Sequence, residues 1–343
     1  MSNFRKTLSS VGPGIFFMLC TFVLFFLFTK LPAQFSDYHY FYRPASLKAI
    51  AGENLYDIKG FVSPPWLIPL LLPFVYFPEK ISLALIAVFS MLLIFFTLNF
   101  FKQKGIGVVL CCLTPAMASL VALGQIDVLV LIGMAAGYRA LDKGKGWLLG
   151  VSLLLLMIKP QLSLLVGILF FLKAGWKMRG ESLMVVLFVW SISGILTGMW
   201  WPFGIDFSSI IHSDMMDCST RALIDMLPVP SYIFYVIQIA VLIFWLYLIR
   251  SRPVDYTIMS FSVLLCAIMM PYLARHSTAI VYALGFPLIF RKYKIPGVLL
   301  YQATFIPILS LWIEPWYAGW ESLVLWGMVL PEFLILRDKS IEV

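Results

Sequence analysis

Apolar residues fall along this chain in twelve blocks, at 14–29, 81–101, 106–122, 126–141, 146–158, 161–173, 183–203, 231–249, 256–273, 277–290, 296–312 and 320–336. A bilayer core takes about 20 apolar residues as helix, so the longer blocks predict spanning helices. Several middle blocks are shorter than a full span. They predict re-entrant helices, or helices in a part of the bundle thinned around a cavity, where broken backbone is satisfied by protein and water. The expected fold is an all-α, polytopic membrane helix bundle of about 12 membrane segments, a single integral-membrane domain over 1–343.

Two polar interruptions are long, 31–65 and 204–230. In the first, Tyr38, Phe41 or Tyr42, Ala45 and Ala49 recur at three- and four-residue steps, with His39, Arg43, Ser46 and Lys48 between them. That spacing predicts a short amphipathic helix whose aromatic stripe lies along the membrane surface at headgroup level. Gly52 suits a left-handed cap after it and Asn54 a turn. The following "SPPWLIPLLLPFVYFP" carries five prolines and predicts a broken, partly inserted element rather than a regular span.

Composition agrees with the blocks. Of 343 residues 62% are apolar and 12% charged, so no soluble shell is available to cover the apolar surface. The charge fixes an orientation. With the N-terminus inside and twelve spans, 17 of the 25 Lys and Arg residues fall on cytoplasmic loops, as short loops prefer. Both termini are then cytoplasmic, and the loops 31–65 and 204–230 face the outside of a cell membrane. The net charge of +8 is therefore a topology signal and implies no nucleic-acid partner. The first block follows Arg5 and Lys6, but "LPAQFS" is a poor cleavage site, so an uncleaved first helix is expected. Cys20, Cys111, Cys112 and Cys266 lie in apolar blocks and Cys218 in a loop, which gives neither a disulfide framework nor a metal spacing. No metal and no cofactor are expected.

Long loops on one face point to work on that face. Asp37 follows the first span directly; Ser36 or Asp37 can cap the helix that begins there, and a carboxylate at the membrane surface can equally act as a general base. Lys159 and Arg275 sit at predicted outer ends of spans, where an unpaired cation is costly, so they snorkel to headgroups or bind an anion. Arg275 and His276 offer two adjacent donors, and arginine matches phosphate geometry. Gln125 and Asp127, between two short spans, suit sugar hydroxyls or a helix cap. His212, with Asp214, Asp217 and Asp225, lies in the second long loop, where such residues line an acceptor site or simply keep the loop soluble.

The run "SDYHYFYRPASLKAIAGENLYDIKGFVSPPWLIPLLLPFVYFP" resembles the N-terminal signature of glycosyltransferase family 87, polytopic enzymes of GT-C type. "GQIDVLVLI" at 124–132 and the Lys159-Pro160 pair within 146–180 continue the resemblance, which is loose beyond about 180. It implies a donor sugar, mannose or a pentofuranose, on a polyprenyl phosphate, and a glycolipid or polysaccharide acceptor. Asp37 would be the catalytic base of an inverting transfer. Arg275, His276 and Lys159 would hold the donor phosphate, and Gln125, Asp127, Tyr38, Tyr56 and His212 the sugar or acceptor. The competing class is a transporter or lipid flippase, which predicts mid-membrane charges and repeat symmetry. No internal repeat is visible, and a non-enzymatic scaffold gives no reason for Asp37 before an aromatic helix.

Overall fold

The computed structural model describes residues 36–203, 217–306 and 317–338, with scattered helical positions between 19 and 30. Among these residues the fold is helical, and the only extended pairing is an isolated bridge between Asp217 and Ala274. A π-helical turn, Tyr38–Tyr42, runs straight into α1, Arg43–Ile50. Gly52 then takes the left-handed conformation, at φ +71°, and the Asn54 side chain accepts from the Tyr56 amide to make the turn. The proline-rich stretch is broken as its composition requires, into a 3-10 turn at Pro65–Leu67 and α2, Ile68–Val75.

The remaining helices are α3 (Glu79–Phe100), α4 (Ile106–Cys112), α5 (Pro115–Ala122), α6 (Leu129–Lys143), α7 (Gly146–Leu156), α8 (Pro160–Lys173) and α9 (Trp176–Thr197). After them come α10 (Thr220–Asp225), α11 (Tyr232–Arg250), α12 (Tyr256–Met269), α13 (Arg275–Lys292), α14 (Lys294–Ala303) and α15 (Tyr317–Arg337). Among the described residues three helices, α3, α9 and α11, are long and apolar enough to cross a bilayer. The block 106–122 is two helices, because Thr114 caps α5 through the Met117 amide and Pro115 cannot continue α4.

The centre of the bundle is α12 and α13. Every side chain from Tyr256 to Ile268 and from His276 to Phe290 is buried. Packing against α13 is close enough to be backbone on backbone: a Cβ on Gly107 of α4 would lie 2.8 Å from the Phe286 carbonyl oxygen. Between α6, α7 and α8 the same role falls to Gly133 and Gly137, the latter seated on the Phe170 ring. Lipid is as apolar as a leucine side chain, so burial alone does not drive helices together in a bilayer; small residues and interhelical hydrogen bonds do. Ser152 supplies one, donating to the Gly133 carbonyl at 2.6 Å.

The aromatic stripe of the first loop forms, but it faces protein instead of lipid. Tyr38 (0% exposed), Tyr42 and Ala45 join the core, and the stripe runs through Tyr42 rather than Phe41. A different apolar edge of the segment is exposed, made by Tyr40, Leu47 and Ile50. The expected surface-lying stripe is therefore the inner face of the segment. The physical reason is that the turn before α6 offers Tyr38 a dry seat.

Candidate functional site

Four chain segments meet at one polar cluster, and each is positioned by ordinary local chemistry. Helix α5 ends with Gly124 at φ +64°, and the Gln125 amide closes back on the Leu120 carbonyl at 3.0 Å. That is a Schellman-type ending, which glycine allows because it lacks a Cβ. The Tyr38 amide donates to Leu123 O at 3.2 Å, and a Cβ on Gly124 would lie 3.0 Å from Tyr38 Cβ. The start of the first loop is thus docked directly on this turn. Lys159 precedes Pro160, whose ring excludes helical backbone for the residue before it; Lys159 sits at φ −135° and ψ 72°. Ser163 Oγ donates back to the Lys159 carbonyl at 2.9 Å and fixes the turn.

Asp127 is fully buried, and both its oxygens are engaged. Lys159 Nζ lies 2.9 Å from Oδ1. Ser277 Oγ donates to Oδ2 at 2.5 Å, with His276 Nε2 3.9 Å from the same oxygen. Gln125 Oε1 accepts from Tyr42 OH at 3.0 Å and from Lys159 Nζ at 3.3 Å. The other end of that amide, Nε2, donates to Asp37 Oδ2. Asp37 itself is only partly buried, and its Oδ1 makes no hydrogen bond among the described residues. Burial pushes the Asp37 carboxyl above its ordinary value, with the Lys159 ammonium opposing and Asp127 adding to the rise. Burial also pushes the Tyr42 phenol up to about 12, so it stays a neutral donor.

These contacts settle several readings left open by the sequence. Asp37 does not cap the following turn; Ser36 does, its Oγ accepting from the His39 amide at 3.2 Å. Asp127 and Gln125 do not cap α6, whose cap position, Val128, has no side-chain bond. Lys159 does not snorkel, since its side chain is 12% exposed and ion-paired. Arg275 turns from the cluster to Glu321, with Nε 3.1 Å from Oε1, while Cys218 Sγ donates to the other Glu321 oxygen at 2.8 Å. Tyr38 is packed in the core, and Tyr56 donates its hydroxyl to the Ser63 carbonyl at 3.1 Å, next to Phe61. His212 and Asp214 lie outside the described residues.

Ser277 and Glu321 enter the site without having been picked from the sequence. A lone serine and a lone glutamate in apolar blocks carry no motif; only the fold brings them to Asp127 and Arg275. A separate buried carboxylate, Glu332, accepts from Ser260 at 3.1 Å and belongs to the packing of α15 on α12. The open cleft of about 700 Å³ lined by Tyr138, Asp142, Lys173, Trp176 and Lys177 is elsewhere. It lies at the far ends of α6 and α8, about 20 Å of helix from Asp127 and Lys159.

Helix α7 is about 16 Å long, roughly half of the apolar layer, so the turn that carries Lys159 ends short of a full crossing. A buried polar cluster in a bundle with membrane-length helices defines a class, the integral-membrane proteins. The sequence comparison narrows it. Residues 61–274 match the model of glycosyltransferase family 87, well over half of the chain, and the protein belongs to that family. It is a glycosyltransferase, an enzyme acting on a sugar donor and an acceptor. No curated protein sequence matches the chain. Gln125, Asp127 and Lys159 fall inside the matched region; Asp37 precedes it, and Arg275, His276 and Ser277 follow its last residue. The likeness thus extends well past residue 180.

Proposed function

We propose that the protein moves a sugar, mannose or a pentofuranose, from a polyprenyl phosphate to a lipid-linked or glycan acceptor on the extracytoplasmic face of the cell membrane. Asp37 is the general base. The observation that carries this reading is the contrast between the two carboxylates of the cluster. Asp127 has one oxygen ion-paired with Lys159 and the other accepting from Ser277, whereas Asp37 has one oxygen held and the other without a hydrogen bond among the described residues. Asp37 Oδ1 takes the proton of the acceptor hydroxyl as that oxygen attacks the anomeric carbon. The bond from the anomeric carbon to phosphate breaks on the opposite side, which inverts the centre and releases the polyprenyl phosphate.

Lys159, Arg275 and His276 are the groups available to the leaving phosphate. Lys159 and Arg275 come to it already paired, with Asp127 and Glu321. Such pairs place a cation in a low-dielectric setting without leaving it unpaired before the donor arrives. The orientation, with about 12 membrane segments and both termini cytoplasmic, is supported by the distribution of Lys and Arg over the loops.

The test is transfer of labelled sugar from a polyprenyl-phosphate donor by the purified protein in nanodiscs. Asp37→Asn should lose transfer while melting and eluting as a folded protein; full activity in that variant removes Asp37 from the mechanism. A wild-type enzyme that ignores every polyprenyl-phosphate sugar yet uses a nucleotide sugar overturns the donor class.

A further inference from the structure

Gln125 is 2% exposed, and its two amide atoms face partners of opposite kind. Lysine has only donors, so the amide oxygen must be the atom that faces Lys159 Nζ, 3.3 Å away. The Tyr42 hydroxyl, 3.0 Å from the same oxygen, agrees. The amide nitrogen is then obliged to point at Asp37 Oδ2. The reversed amide would set an NH2 group against an ammonium and a carbonyl against a carboxylate, both repulsive. Lys159 is in turn held by Asp127, so a chain of contacts from Asp127 through Lys159 and Gln125 dictates what Asp37 meets.

We infer that Gln125 is a positioning residue for Asp37: its N–H holds Oδ2, favours the ionised carboxylate, and leaves Oδ1 turned to the acceptor hydroxyl. The inference rests on the reading of Asp37 as general base. The charged or titratable groups facing Asp37 are Lys159, Asp127 and Tyr42, with His276 on the far side of Asp127. Gln125 alone hydrogen-bonds the carboxylate directly among the described residues.

Removing a hydrogen bond to a charged group shifts its titration by about one to two pH units. In Gln125→Leu the acid limb of the kcat/KM profile should therefore move up by about one to two pH units, with activity partly regained at high pH and the donor KM changed less than about threefold. Gln125→Glu keeps the shape and replaces the N–H donor with a second acid, so its limb should move at least as far. Tyr42→Phe leaves Lys159 to orient the amide, and its limb should move by less than about half a unit.

A folded Gln125→Glu protein with the wild-type profile overturns the inference, and so does a uniform loss of rate at every pH with an unmoved limb, which would make Gln125 a direct substrate contact. Should Gln125→Leu fail to fold, Gln125→Glu decides alone. Asp37→Asn separates the two levels: an active Asp37→Asn enzyme sinks the general-base reading itself, while an inactive one beside an unmoved Gln125→Glu profile sinks only the positioning role of Gln125.

Discussion

Lys159 Nζ and Asp127 Oδ1 lie 2.9 Å apart, joining the turn before α8 to the turn before α6 in a largely buried ion pair. The carboxylate is shut off from water and the lysine side chain is only 12% exposed, so each charge is tolerated largely because of the other. Lys159→Met alone should destabilise the detergent-solubilised protein by about 3–5 kcal/mol by leaving a buried carboxylate uncompensated. Asp127→Leu with Lys159→Met should recover much of that loss in a thermal unfolding assay, without recovering transfer. Equal stability of the single and double variants would mean that the pair is solvated.

As the proposed general base, Asp37 would set activity against stability. Its carboxyl is raised in the folded protein, so folding favours the protonated form. The associated stability is complete below the ordinary value of 3.8 and is lost as pH rises through the raised value. Asp37→Asn should therefore melt above the wild type at neutral pH, and the gap should close as pH falls towards 4. Thermal scans of both proteins across pH check the sign; a gap that widens in acid contradicts it.

Gly124 carries the contact between the first loop and the α5–α6 turn. In Gly124→Ala the new Cβ would meet Leu83 Cδ1 at 2.6 Å and Tyr38 Cβ at 3.0 Å, on a backbone at φ +64°. The left-handed backbone costs about 1–2 kcal/mol and the overpacking about 1–3 kcal/mol. Displacing Tyr38 also moves Asp37 away from Gln125, so transfer should fall further than the loss of folded protein explains. A rate proportional to the folded fraction would show that the docking of Tyr38 does not govern the site.

Glu321 ties the second long loop to α13. It takes the Cys218 thiol on one oxygen and Arg275 on the other, and Asp217 Oδ1 accepts from the Leu273 amide at 3.0 Å. With the other four cysteines replaced, Cys218 should react slowly with a maleimide in the wild-type background and several-fold faster in Glu321→Ala. Equal labelling rates would mean that the clasp does not hold the loop.

The all-helical character, the broken proline stretch and the Gly52 cap were legible in the chain, because each rests on local chemistry; Asp37, Gln125, Asp127, Lys159 and His276 could be singled out as polar residues beside apolar blocks, but only the family resemblance put them in one site. Two things were not legible. The inward turn of the Tyr38 and Tyr42 stripe depends on a dry seat built from residues more than 80 positions away, and periodicity reports that a face is apolar without saying what covers it. The commitment of Arg275 to Glu321 spans 46 residues of sequence and has no signature, since either residue alone looks like an unpaired charge at a span end.

Helix α13, which delivers His276 and Ser277 to Asp127, is enclosed by protein along its whole length from His276 to Phe290, whereas α9 and α11 present most of their surface outward. Stretching, thinning or stiffening the surrounding lipid therefore acts first on the peripheral helices and reaches the reacting groups only through several layers of packing. Turnover should accordingly respond weakly to acyl-chain length, even though the enzyme carries membrane-length helices at its periphery.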